Sequence, residues 1–323
     1  MSALSDVILF VDTDRNIMTM TDHVGPTPVV ILPPGPQEWI SASASPDGQT
    51  IVAATSFPST WWRMNADGSG LHQFVNVPSG FGSSGGASSG VTFSPDGSRF
   101  VGYYGDNDGV PLGFSLVNLD DTGSIEVPVL HGSVTPDAPL VSAFFTFSVY
   151  WSPDGTRLAF TGYDFPDNGR TAVCVCNIDG SGLTVLLQAP ALPLVGSINY
   201  TVYGWLDNNH VLAEGWTGGS VVVNVDATDS STTVLYNDPD GVHFFADMDA
   251  ISPDGTEIAL VDNTTSGLAI FDIATTERVD LVTPPILGME FLQWVRPQLA
   301  IPPRPPPALA IGNATSGHIR AAL

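Results

Sequence analysis

Residues 151–160 read WSPDGTRLAF, an apolar residue running into Ser-Pro-Asp-Gly, then a polar pair and a second apolar run. Ser-Pro-Asp-Gly suits a type I turn, because proline presets the backbone angle of the second position and glycine accepts the left-handed exit that closes a hairpin. Nearly the same phrase returns as ASPDGQTIVA from Ala44, FSPDGSRFVG from Phe93 and ISPDGTEIAL from Ile251. Each copy predicts a β-hairpin with the SPDG at its tip and the flanking apolar runs as its arms.

Two degenerate copies fill the gaps. YGWLDNNHVLAEG around Leu206 and LQWVRPQLAI around Val295 keep the tryptophan and the second apolar run but lose the SPDG. Counted from residues 45, 94, 152, 206, 252 and 295, the six copies recur every 43 to 58 residues, slightly longer than the period of WD-type propeller blades. Between copies two more strands are expected. The third reads NIMTMTD, WWRMNADG, FSLVNLDD, VCVCNIDG, VVVNVDA or LAIFDIA, and the fourth VVILP, HQFVNV, IEVPVL, LTVLL, TVLYN or VDLVTP. Four strands in each of six units, with no convincing amphipathic helix, give an all-β six-bladed propeller.

The chain resembles the TolB-type propeller repeat, in which a NADGSG-like turn precedes the fourth strand and a WSPDG-like turn follows the first. MNADGSGLHQF from Met64 and CNIDGSGLTVL from Cys176 carry the former turn, and the four SPDG copies carry the latter. The resemblance covers residues 6–301 and implies the fold; such repeats occur in periplasmic complex components, in domains that gate peptidases and in proteins of other roles. The N-terminal stretch begins at a second strand, and LGMEFLQWV near the C-terminus supplies the missing first one, so the two chain ends are expected to share a blade and leave no open sheet edge there. QLAI, from Gln298, also reads as a second strand and competes with VILFVD for the place. Residues 1–301 form the propeller domain on this reading, and 302–323 a Pro-rich extended arm.

Composition limits the partners. The 323 residues carry 33 acidic side chains, 27 of them Asp, against nine Arg and no Lys, a formal charge of -24. Such a field repels phosphate backbones and anionic headgroups, which argues against nucleic acid and against membrane surfaces. The N-terminus lacks the basic start and apolar core of a signal peptide, and no apolar run nears the ~20 residues of a membrane span. Cys174 and Cys176 alternate with valine, so on a strand they share one face and read as small buried hydrophobes.

Alternating strand direction sorts the turns. First-to-second and third-to-fourth turns share one face, which collects Asp47, Asp96, Asp154, Asp207 and Asp254 with Asp67, Asp120, Asp121, Asp179, Asp226, Asp229 and Asp272. One rim is therefore expected to be densely acidic, with the aspartates serving turn geometry and offering a field to a basic partner or to cations. The opposite face receives the long interblade loops. Trp39, Phe81, Phe144, Phe145, Tyr200, Phe244 and Phe245 fall there and are the candidate contact residues, a choice weighed against their plugging the channel or capping the core.

Catalytic signals are weak. Gly82, Ser84 and Gly86 satisfy G-x-S-x-G, but a nucleophile elbow needs a strand before the serine and a helix after it, and here the match lies inside GFGSSGGASSG. GDNDG from Gly105 and FPDNG from Phe165 offer oxygens that calcium could use, without the spacing of a known calcium loop. No catalytic set, cofactor or metal site is assigned. The arm IPPRPPPALAIGNATSGHIRAAL favours polyproline II at its start, and Leu309, Ile311, Ile319 and Leu323 are its candidate contacts, with a further copy of the chain as candidate partner. The function expected is a non-enzymatic protein-binding scaffold that self-assembles through arm and loops. The alternatives are a TolB-like accessory subunit of an envelope complex and a metal-dependent hydrolase or lyase acting in the channel.

Overall fold

The computed structural model describes residues 7–12, 14–21, 28–34, 38–55, 60–78, 81, 83–84, 87–88, 91–105, 111–127, 149–164, 170–188, 199–216, 220–238, 244–245, 251–252, 256–262, 267–275, 277–280 and 290–295, and structural statements concern these. They form six four-stranded antiparallel sheets. Blade 2 runs from Trp39–Ala44 through Thr50–Thr55 and Thr60–Asn65 to His72–Gln73. Blades 3 to 6 repeat the meander from first strands at Thr92–Phe93, Val149–Trp151, Asn199–Trp205 and Phe244–Phe245.

Blade 1 closes the ring. Its first strand is Glu290–Val295, paired antiparallel with Val7–Val11 in the register Val7 to Val295 and Phe10 to Leu292; Ile17–Thr21 and Val29–Leu32 complete the sheet. VILFV therefore takes the contested second-strand place, and QLAI lies outside the described residues.

Three of the four SPDG tips have the expected geometry, and residues 253–255 of the fourth lie outside the described residues. Gly48, Gly97 and Gly155 sit at φ 65°, 69° and 70° and donate to the carbonyls of Ser45, Ser94 and Ser152, each at 2.8 Å. The serine hydroxyl then accepts from the main chain at the start of the second strand, from Thr50, Arg99 and Arg157 at 2.9–3.0 Å, which locks the hairpin from inside.

Strand alternation sends one set of side chains to each neighbouring blade, and the core is a series of apolar seams between blades. Leu9, Val11 and Ile17 meet Ala42, Ile51 and Met64 between blades 1 and 2. Tyr103 and Phe114 meet Phe160 and Cys174 between blades 3 and 4, and Val173 and Val175 on the other face of the same strand meet Val202 and Val211 of blade 5. One continuous cluster, from Tyr203 and Leu212 through Ile258 and Phe271 to Ile8 and Phe10, joins blades 5, 6 and 1. Both cysteines are buried as the alternation predicts, and burial pushes each thiol up to about 12.

Side-chain hydrogen bonds stitch the innermost strands across the seams. The indole N–H of Trp151 donates to Thr92 O at 3.3 Å, and that of Trp205 to Tyr150 O at 3.1 Å, so the tryptophan of the repeat reaches back to the preceding blade. The Thr161 hydroxyl accepts from Val202 N at 3.0 Å. Gln293 closes the circle: its Oε1 accepts from Ala44 N at 2.6 Å, and its Nε2 donates to Ala44 O at 3.2 Å. A side-chain amide thereby imitates a ladder pair between the last strand of the chain and blade 2.

Two features differ from expectation. Blade 2's fourth strand, read as HQFVNV, pairs only at His72–Gln73, because the amides of Val75 and Asn76 turn to the Asp121 carboxylate of blade 3. Phe244 and Phe245, read as loop residues, form the first strand of blade 6 and pair with Asp262 and Val261.

Candidate functional site: the acidic rim and the outer strands

In five blades one main-chain bond fixes which turns share a face. Ala66 donates to Gln49 O, Leu119 to Ser98 O, Ile178 to Thr156 O, Ala227 to Asn209 O and Ile273 to Thr256 O, at 2.7–3.1 Å. Each bond joins the third-to-fourth turn to the first-to-second turn of its own blade, so the described aspartates of both sets line one rim, and Asp254 lies outside the described residues.

Most of these carboxylates are committed to their turns. Asp47, Asp96 and Asp154 each accept from the serine two residues before, at 2.6–2.7 Å, and from the amide two residues after, at 3.0 Å. In the other set, the hydroxyls and then the amides of Ser69, Thr122, Ser181 and Thr228 hold Asp67, Asp120, Asp179 and Asp226 below the ordinary carboxylate range. The Thr275 amide does the same for Asp272. Burial pushes Asp96, Asp154 and Asp207 upward, and hydrogen-bond donors outweigh it, so these are lowered too. The rim stays ionised well into acid.

The arginines here are engaged with main chain or rings. Arg63 Nη1 donates to Leu119 O at 2.9 Å, across the seam between blades 2 and 3. Arg157 lies over the Trp205 ring, 5.0 Å from its centroid, and donates to Asn208 O. They tie blades together while their charge remains on the rim.

The NADGSG turn explains its own spelling. Gly68 and Gly70 lie at φ 79° and 69°, and a Cβ on Gly70 would stand 2.8 Å from Asn65 Nδ2. Blade 3 departs from this pattern: its turn reads NLDDTG, and Asp121 takes the left-handed position at φ 62°. Its carboxylate, on a side chain only 8% exposed, accepts from Val75 N and Asn76 N at 3.0–3.2 Å and lies 3.5 Å from His72 Nε2. Sequence reasoning counted Asp121 among the rim acids and missed this role; the missing glycine in NLDDTG was the signal.

The aromatic contact surface expected on the opposite face is corrected by the structure. Trp39 is 4% exposed, starts the first strand of blade 2, stands edge-on to Trp62 and donates to Pro33 O. Phe81, also 4% exposed, packs against Trp61 and Phe100 and over Gly102, where a Cβ would come within 2.6 Å of its ring. Tyr200 is fully buried in the seam between blades 4 and 5. Trp39 and Tyr200 are core residues because the first strands begin earlier than the SPDG marks suggested, and Phe81 is one because its ring lies on Gly102 of blade 3's second strand. Phe244 and Phe245 are on a strand, and Phe144, Phe145, Leu309, Ile311, Ile319 and Leu323 lie outside the described residues.

Exposed apolar side chains collect elsewhere. The seven large ones among the described residues, Val29, Val30, Leu71, Val75, Ile125, Val234 and Val279, all lie on or beside a fourth strand, with Val75 at 76% and Val29 at 59%. They ring the perimeter, where each blade offers an unpaired strand edge.

Ser84 lies in a two-stranded hairpin, Ser83–Ser84 with Ala87–Ser88, a setting unlike the strand-to-helix elbow of a nucleophile. Among the described residues no three His, Cys, Asp or Glu side chains are placed to share a metal ion. GDNDG beyond Gly105 and FPDNG lie outside those residues. Among the described residues no helix is long and apolar enough to cross a membrane.

Among solved structures, a chain of the nidogen/laminin complex superposes with a TM-score of 0.60 at 11% identity, covering 89% of this chain and 97% of its own. A TolB structure from Agrobacterium tumefaciens gives 0.59 at 15%, covering 87% and 90%. The shared architecture is the six-bladed propeller. A puromycin hydrolase S511A variant complexed with PGG gives 0.55 at 16%; 88% of this chain covers 47% of that one, so the propeller matches a part of the larger chain. No family model and no curated protein sequence matches the chain. At these identities the likeness is one of fold.

Proposed function

We propose that the chain is a non-catalytic propeller scaffold that binds other proteins along its perimeter and acidic rim. The observation that carries this reading is the placement of the exposed apolar side chains, confined among the described residues to the outer strands of a body whose seams are otherwise filled. The inner strands support it as well. The main-chain groups of Thr92, Ala44, Tyr150 and Val202 are taken up by side chains of adjacent blades, which leaves fewer donors and acceptors facing the axis for a substrate.

The test uses a photo-crosslinking residue at Val30 or Val75 in the source cells, with position 38, exposed on the face opposite the acidic rim, as control. A discrete protein adduct at the perimeter positions, whose purified partner binds the wild type and loses at least tenfold in affinity to Val75→Asp, is the expected result. Equal adducts at all positions, or full binding by the variant, would remove the perimeter from the reading. Self-assembly through residues 302–323 is the finer form of the proposal; a particle whose size is unchanged by removing that segment counts against it.

A further inference from the structure

One seam contains a space that the repeat fills elsewhere. Counted from the turn, the fourth residue of the second strand is Ala53 in blade 2, Phe160 in blade 4 and Ala213 in blade 5, each packed into the seam with the preceding blade. In blade 3 it is Gly102, and the residue opposite it on the third strand is Ser115. This pair leaves a notch in the face that blade 3 turns toward blade 2. Phe81 fills it from outside the four-stranded sheets: a Cβ on Gly102 would stand 2.6 Å from Phe81 Cζ, 3.0 Å from Cε2 and 3.3 Å from Cε1, so the ring enters tip first. Across residues 79–90 Phe81 stands among glycine, serine and one alanine, so no other side chain of that stretch could take its place.

The phenyl ring leaves polar groups unanswered. Ser115 is 0% exposed and Ser41, on the first strand of blade 2, is 1% exposed, and neither hydroxyl has a hydrogen-bond partner among the described residues. Both face this seam. Ser41 stands opposite Ala54, which packs with Trp61, Phe81 and Phe100, and Ser115 lies two residues before Val117 of the same cluster. Directly opposed residues hold their Cβ atoms about 5 Å apart, so the Ser115 side chain stands beside the tip of the Phe81 ring, where a hydrocarbon edge gives it nothing to bond. Native interiors rarely leave such groups unpaired.

We propose that this notch is a binding site for a small neutral aromatic ring bearing a hydroxyl, a phenol in chemical class, and that Phe81 occupies it as an internal substitute. The walls suit a ring: Trp61 and Phe100 both stand edge-on to Phe81, with centroids 5.1 and 6.0 Å away. The hydroxyl is what Phe81 lacks. A phenol oxygen can bond with Ser115 as donor or acceptor, and Trp61 Nε1, which donates to Phe81 O at 3.3 Å, is a second donor on the same wall. Charge is excluded, because Ser41, Ala54, Trp61, Phe100, Gly102 and Ser115 include no ionisable side chain, and an ion there would lose its water without a counter-charge. The internal ring must leave first, which lowers the affinity of the wild type by the fraction of molecules whose notch is free. The site lies in a seam, apart from the perimeter, and its test is independent of the scaffold reading.

Fluorine NMR of para-fluorophenol and fluorobenzene with the full chain provides the test. The wild type is expected to bind para-fluorophenol saturably, Phe81→Ala at least tenfold more tightly, and both to prefer it to fluorobenzene. Ser115→Ala, added to Phe81→Ala, should bring the two probes to equal affinity. Phe81→Leu removes less of the ring and should show the same order of affinities; it replaces the alanine variant if circular dichroism shows that variant unfolded. Absence of saturable binding to the wild type overturns the proposal. So does equal affinity of the two probes for Phe81→Ala, which makes the notch a plain apolar cavity, or a preference for the phenol that Ser115→Ala leaves unchanged.

Discussion

Asp121 combines two costs and one gain in a single side chain. A non-glycine residue at φ 62° gives up about 1 kcal/mol relative to glycine, and its carboxylate is drawn out of water. In return it caps two amides of blade 2 that have no ladder partner. Asp121→Ala keeps the strain and loses the bonds, and should lower stability by about 2 kcal/mol, read as a shift in the urea midpoint. Asp121→Gly relieves the backbone and should cost about half as much. If glycine proves as costly as alanine, strain is not part of the balance at this turn.

At the level of strands, legibility followed the range of the determining contact. SPDG and NADGSG write their geometry into adjacent residues, so hairpin tips, strand count and the facing of Cys174 and Cys176 could be read from sequence. The start of a first strand is written nowhere locally: SPDG marks where that strand ends, and Trp39, Tyr200 and Phe244 were taken for loop residues on that account. The truncation of blade 2's fourth strand was equally hidden, since the group that ends it lies 46 residues away. Gln293 is a further long-range determinant, bonding to a residue 249 positions earlier. Gln293→Ala strands both polar groups of Ala44 at a buried seam and should cost about 2–3 kcal/mol, while Gln293→Glu, which keeps an acceptor and removes the donor, should cost at least as much because it buries charge. Thermal unfolding of the two variants beside wild type checks the order.

For the whole molecule, acidity governs stability. Nine rim aspartates have their folded pKa lowered below the ordinary value of 3.8. A depressed carboxylate contributes stability that is fully present above its unfolded pKa and is lost as pH falls through the folded one. The melting temperature should therefore hold from neutrality to about pH 5 and decline below about pH 4. A flat profile to pH 2.5 would show that the turn bonds persist with protonated carboxyls. The same charges repel one another around the ring, so added salt at neutral pH should raise the melting temperature modestly.

Closure by the two chain ends imposes an order on biosynthesis. In the finished ring Ile8, Leu9, Phe10 and Val11 are wholly buried, yet their strand leaves the ribosome about 280 residues before its neighbour Glu290–Val295. At roughly 5–20 residues per second that is a wait of about 15–60 s. During it, an apolar strand with a free edge stands open to whatever holdase or nascent neighbour is at hand, so the cell's capacity to shelter an amino-terminal β-segment should set the yield of this protein more than its equilibrium stability does.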